Sequence, residues 1–304
     1  MDINVDNPTF VNGEKSVAPQ LERLLNIHGY SFQYSIAKRA AELEKEANWY
    51  FEGAEIPVET GSEVIHVDLV FYTVNRNPSD GYRHFLIGEC KRADPALGDW
   101  CFAKTPYTWR GGDRVDTHIQ FDRMVGDPIE SRPFSDTISL HTDRPTANLA
   151  VEVKTGKKGD GIPSKEKSAI NGAITQVLRS SSGYMNYLWQ ARVPPRELNI
   201  GRTNTFIPAI FTTANLFLTD VDISSANLTY GILPKGSVEV KEVDWLWFNY
   251  NRSARLKHNL SRDESKGIMY GVQYRDFTRT IAIVGPKGID SFLKTHPEWM
   301  KVQE

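Results

Sequence analysis

Seven residues dominated by turn formers, Asn75-Arg76-Asn77-Pro78-Ser79-Asp80-Gly81, separate two β-branched apolar runs. The run before them, Val64 to Val74, and the run after them, His84 to Lys91, alternate strongly enough to be strands. The pattern predicts a hairpin folded about Pro78 and Ser79, which sets Asp68 level with Glu89. Side chains alternate between the faces of a strand. Val67, Leu69 and Phe71 are therefore expected on one face, with Leu86, Gly88 and Cys90 beside them. Asp68, Glu89 and Lys91 are expected together on the other. Two carboxylates and an ammonium next to an apolar core make a metal-and-base constellation. A salt-bridge ladder across a hairpin is the plainer account of the same residues.

His66-Val67-Asp68-Leu69-Val70 and Gly88-Glu89-Cys90-Lys91-Arg92 resemble the signature of the PD-(D/E)xK, or restriction-endonuclease-like, superfamily. Asp68 matches the Asp of the first hairpin strand, and Glu89-Cys90-Lys91 matches the Glu-x-Lys of the second. Val67 stands where that family has its Pro. The similarity covers roughly Ala40 to Thr219. It implies an α/β fold with a mixed central sheet flanked by helices. It further implies a metal-dependent nuclease cutting phosphodiester bonds, more often in DNA, of the restriction or anti-phage defence type. Mg²⁺ (or Mn²⁺) would be held by Asp68, Glu89 and the carbonyl of Cys90, since this ion needs few protein oxygens and keeps several waters. Lys91 would orient or deprotonate the attacking water. Gln176 compares with the Gln that some of these nucleases place near the metal, although Val177-Leu178-Arg179-Ser180 lacks the Tyr that completes that motif. Members often add an acid from the helix before the hairpin. Glu42, Glu44 and Glu46 are eligible, and a solvated helix face explains them as well.

Glu152-Val153-Lys154 is a second Glu-x-Lys at the end of an apolar strand, just ahead of a long helix. It is the alternative catalytic pair. The hairpin register favours Glu89 and Lys91. His66, two residues before Asp68, is read as a substrate contact or as a structural histidine.

Helical periodicity predicts a helix from Ala18 to about Gly29 and another through Ile36, Ala40, Leu43 and Ala47. Ala54 to Val58 reads as an edge strand, because Pro57 suits an edge. Residues from Ala93 to Pro145 show no regular period. A strand is expected over Ala147 to Lys154, a helix over Ser164 to Gln190, and one central strand over Phe206 to Leu218. The tail from Ser237 to Val284 reads as further strands, with a short helix near Ile289 to Lys294. The organisation inferred is a nuclease-like core over residues 1–225, with a β-rich C-terminal extension over 226–304 packed on the same domain.

A formal net charge of −2 over 304 residues leaves phosphate binding to local patches. Lys157, Lys158, Lys165 and Lys167 form one patch, interleaved with Gly156, Gly159 and Gly161 before a helix start, and are the nucleic-acid-binding candidates. Arg252, Arg255, Lys257, His258 and Arg262 form another. Trp100, Tyr107, Trp109 and Arg110 can stack on bases or cover the core. Two cysteines, Cys90 and Cys101, are too few for a disulfide framework. A polar, acidic N-terminus and no run of about 18 apolar residues point to a cytoplasmic chain with no membrane partner. Partners expected are DNA and, beyond it, a second copy or a defence-system protein. A rival reading is a non-catalytic nucleic-acid-binding or scaffold protein on a nuclease-like fold. A sugar- or nucleotide-processing enzyme has no Gly-rich phosphate loop in its support.

Overall fold

The computed structural model of the chain describes residues 17–61, 63–73, 82–93, 98–104, 118–125, 134–153, 168–190, 203–251 and 278–299. In chain order these form helices α1 (Val17–Ile27), α2 (Tyr30–Glu42) and α3 (Glu44–Ala47), then strands β1 (Trp49–Thr60), β2 (Glu63–Thr73) and β3 (Tyr82–Lys91). Next come β4 (Asp99–Ala103), β5 (His118–Val125), β6 (Phe134–His141), β7 (Thr146–Ala147) and β8 (Leu149–Val153). Helix α4 (Ala169–Gln190) leads into β9 (Thr203–Thr212), β10 (Asn215–Thr219), β11 (Lys241–Glu242), β12 (Trp245–Asn251), β13 (Thr278–Val284) and helix α5 (Ile289–Trp299).

The protein is mixed α/β. A central sheet runs β1-β2-β3-β9-β13-β12-β7, with β5 and β6 joining at β9, and a smaller sheet runs β11-β10-β4-β8. The central sheet is mixed: β2 is antiparallel to β1 and β3, whereas β3, β9 and β13 are parallel. Strands β13 and β12, from beyond residue 225, lie inside this sheet, β13 next to β9 and β12 between β13 and β7. Helices cover both faces. Ile36, Ala40, Leu43 and Ala47 of α2 and α3, with Phe292 and Leu293 of α5, pack against Leu69, Phe71, Leu86 and Phe211. On the opposite face α4 spans two clusters. Ile170, Ile174 and Val177 pack with the small sheet and β13, while Tyr184 and Met185 pack with Val67, Val70, Phe85 and Ile87. Gly183 permits the close approach of α4 to β1, since a Cβ there would lie 2.6 Å from Val58 Cγ2.

The hairpin folds in the anticipated register: Leu69 faces Gly88 and Phe71 faces Leu86. One side chain departs from it. Val67 packs with Val70 and Ile87, not with Leu69 and Phe71, so the alternation of faces slips at Asp68. Strand β1 is an edge strand longer than the Pro57 signal suggested, and the second predicted helix breaks at Leu43 into α2 and α3.

Two predicted strands each divide between the two sheets. Ala147 to Lys154 becomes β7 in the central sheet and β8 in the small one, parted at Asn148. Phe206 to Leu218 becomes β9 and β10, parted at Thr213 and Ala214. The apolar run continues through each crossing and hides it, although Leu149, Val151 and Val153 of β8 are exposed. Hydrogen bonds mark the bend: the Ala214 N–H donates to Thr212 Oγ1 (3.1 Å) and the Ala93 N–H to Thr213 Oγ1 (2.9 Å). Central strand β9 also accommodates Pro208. Its neighbour on that side changes from β5, which pairs as far as Phe206, to β13, which pairs from Ala209. No ladder N–H is demanded at the gap.

In its described parts the segment from Ala93 to Pro145 is not irregular, because these supply β4, β5 and β6. Its pattern is obscured because polar residues are buried with the apolar ones: Gln120 and Asp122 of β5 lie in the interior, where Asp122 pairs with Arg279 of β13 at 2.6 Å.

Candidate metal and phosphodiester site

The site grows from a fork. Strand β3 stays paired with β9 as far as Lys91↔Thr212, while its register with β2 ends at Leu69↔Gly88. The Asp68 side chain takes over at the fork: its Oδ2 accepts the backbone N–H of Cys90 at 2.7 Å. Gly88 sits at the last ladder pair because a Cβ there would meet Leu69 Cβ and Phe211 Cε2, each at 3.2 Å. Past this point β3 presents Glu89 and Lys91. Lys91 Nζ donates to Glu89 Oε1 (2.9 Å) and to Gln176 Oε1 of α4 (3.2 Å). Glu89, Lys91 and Gln176 thus form one chain of contacts drawn from β3 and α4, and Asp68 of β2 is tied beside it through the Cys90 N–H.

Glu89 is only 1% exposed, and its second oxygen, Oε2, is buried with no hydrogen-bond partner. A carboxylate oxygen left so is costly unless something positive meets it. Burial pushes the Glu89 carboxyl up to about 8, with the neighbouring Asp68 charge adding to the rise and Lys91 opposing it. Burial also raises Asp68 to about 6, partly offset by the Cys90 N–H and raised further by Glu55. Both shifts describe an anionic site short of compensating charge. Burial likewise pushes the Cys90 thiol well up, which makes it an inert core thiol and leaves only its carbonyl as a possible ligand.

The donor set suits a hard divalent cation: two desolvated carboxylates, one with a free oxygen, beside a backbone carbonyl. Among the described residues no group of three or more His, Cys, Asp or Glu side chains makes a ready metal cage. Mg²⁺ does not require one, as it is commonly bound by one or two carboxylates, substrate and water.

The second Glu-x-Lys lies elsewhere. Glu152 is on β8, an edge strand of the small sheet, and its Oε1 accepts the Ser168 hydroxyl (2.6 Å) and the Ile170 N–H (2.9 Å) at the start of α4. Lys154, its partner in the motif, lies outside the described residues. So do Lys157, Lys158, Lys165 and Lys167, the second basic cluster, and Tyr107, Trp109 and Arg110. Trp100 is a core residue, 1% exposed, packed between the small sheet and α4.

Two of the upstream glutamates are engaged in ion pairs: Glu42 pairs with Arg39 (2.8 Å) and Glu46 with Lys294 of α5 (2.6 Å). The acid that does approach is Glu55 of β1, opposite Asp68. It was hidden behind the edge-strand reading, and no spacing rule points to it. Its Oε1 accepts a bond from Gln33 Nε2 of α2 (2.9 Å), and Gln33 also donates to the Asp68 carbonyl. His66 is exposed, with Nδ1 3.6 Å from Glu55 Oε2.

No family model, curated protein or solved structure matches the chain. Among the described residues no helix is long and apolar enough to cross a membrane. The fold and site define a mixed α/β protein with a buried acid paired to an ammonium at a strand fork.

Proposed function

We propose that the protein is a metal-dependent nuclease hydrolysing phosphodiester bonds, acting on DNA in a restriction or defence setting, with a restriction-endonuclease-like core around the β2–β3 fork. The observation that carries this reading is the Glu89 carboxylate, buried beside Asp68 with one oxygen on Lys91 and the other unmatched. A purely structural ion pair has no use for a second buried acid that raises the cost of the first.

Asp68, Glu89 and the Cys90 carbonyl would hold Mg²⁺ or Mn²⁺, which when bound supplies charge neutralisation and Lewis acidity at the scissile phosphate. The chain's own residues do the rest. The Cys90 N–H fixes the Asp68 carboxylate, so one of its oxygens is preorganised at the fork. Gln176 holds Lys91 from α4, leaving the ammonium positioned to orient a water and to meet charge developing on the phosphate. The apolar floor beneath Glu89 excludes bulk water and strengthens each of these interactions.

The test is incubation of the purified protein with plasmid, single-stranded DNA and RNA, in Mg²⁺, in Mn²⁺ and in EDTA. Cleavage of at least one substrate that needs the ion and disappears in Lys91→Ala supports the reading. Binding of nucleic acid with no cleavage in any condition would favour the scaffold alternative.

A further inference from the structure

We infer that Glu55 is a third acid of this centre, held in place by Gln33 and acting on the cation through its hydration water; the inference rests on the metal-site reading above. Glu55 sits in mid-strand with φ at +53°, a left-handed conformation that a non-glycine residue adopts only at a cost. In β1 Ala54 faces Leu69 and Ile56 faces Val67, so the turned residue lies opposite Asp68. The twist aims its carboxylate at a buried amide: Gln33, 3% exposed, donates one Nε2 to both Glu55 Oε1 and the Asp68 carbonyl. A helix therefore clamps the backbone of one acid and the side chain of another through a single group.

The unpartnered Oε2 of Glu89 independently marks the place where positive charge is missing. Glu55 keeps its Gln33 bond while its other oxygen faces outward beside His66, which fits a role on the ion's water better than direct ligation.

Calorimetric titration of the full chain with Mn²⁺ and Mg²⁺, without nucleic acid, tests this. Glu55→Gln and Gln33→Leu should each weaken Mn²⁺ binding 10- to 100-fold, the range for groups that orient a metal's ligands and waters. Asp68→Asn and Glu89→Gln should abolish it. Glu55→Gly separates site from scaffold: it relieves the left-handed residue, so melting in EDTA should stay level or rise while the Mn²⁺ affinity falls. Wild-type affinity in Glu55→Gln, with Asp68→Asn dead, would overturn the inference and leave the site reading standing. A wild-type protein that binds neither ion would overturn both.

Discussion

Two of the chain's four Glu-x-Lys triplets, those beginning at Glu89 and Glu152, end apolar strands, and the fold uses the two glutamates in opposite ways. Glu89 is in the sheet interior, beside a second acid, with an oxygen nothing matches. Glu152 is on an edge strand between Val151 and Val153, both exposed, and its carboxylate is spent on the N-terminus of α4. The local spelling is the same; the third dimension differs. Chemistry needs a strand on the far side to bring a second acid and a fork to open the ladder, and neither is written in three residues.

Breaking the comparison begins with activity. Lys91→Ala should lower kcat at least 1,000-fold, on the order of the losses seen when positioned catalytic groups are removed, with substrate affinity nearly kept. Glu152→Ala should cleave at close to the wild-type rate. A dead Glu152→Ala beside an active Lys91→Ala would move the chemistry to the small sheet.

The next effect is proton linkage at Glu89. Its carboxyl titrates near 8 in the folded chain and near the ordinary carboxylate range when unfolded. Between those values the folded state binds the extra proton, so metal-free stability falls as pH rises through the window. The stabilisation is full below the unfolded value and lost by about pH 8. In EDTA the unfolding free energy should therefore fall from pH 5 to pH 8.5 by an amount on the order of a few kcal/mol, and the Tm should drop with it. Glu89→Gln should flatten the slope. Divalent ions must displace that proton, so their affinity should rise over the same range. A pH-independent Tm in EDTA would mean that Glu89 is ionised and already compensated.

What was legible in the sequence follows the same division. The hairpin register could be read because turn chemistry around Pro78 fixes it locally, and with it the juxtaposition of Asp68, Glu89 and Lys91. Helix α4 and its Gln176 followed from periodicity. Glu55 could not be read, since its approach depends on a left-handed residue in an edge strand and on Gln33, 22 residues earlier. The crossings at Asn148 and Thr213 were hidden for a different reason: both sheets bury apolar residues, so hydrophobicity carries no sign of which sheet a strand belongs to.

The smallest effect sharpens the comparison from the other side. Ser168 precedes the first turn of α4 and its Oγ accepts the Asn171 N–H (3.3 Å), while Glu152 takes the Ser168 hydroxyl and the Ile170 N–H. An acid there satisfies otherwise orphaned N–H groups and meets the positive end of the helix dipole. Losing such a cap costs about 1 kcal/mol, or roughly 2–4 °C in Tm for a chain of this size class. Glu152→Ala should show that loss with unchanged Mn²⁺ affinity. Ser168→Ala should cost a similar amount, and the double variant less than the sum, because the two residues share one hydrogen-bonded unit. Strict additivity would mean that Glu152 holds α4 independently of Ser168. An unchanged Tm with weakened Mn²⁺ binding would make Glu152 a metal ligand and erase the contrast between the two motifs.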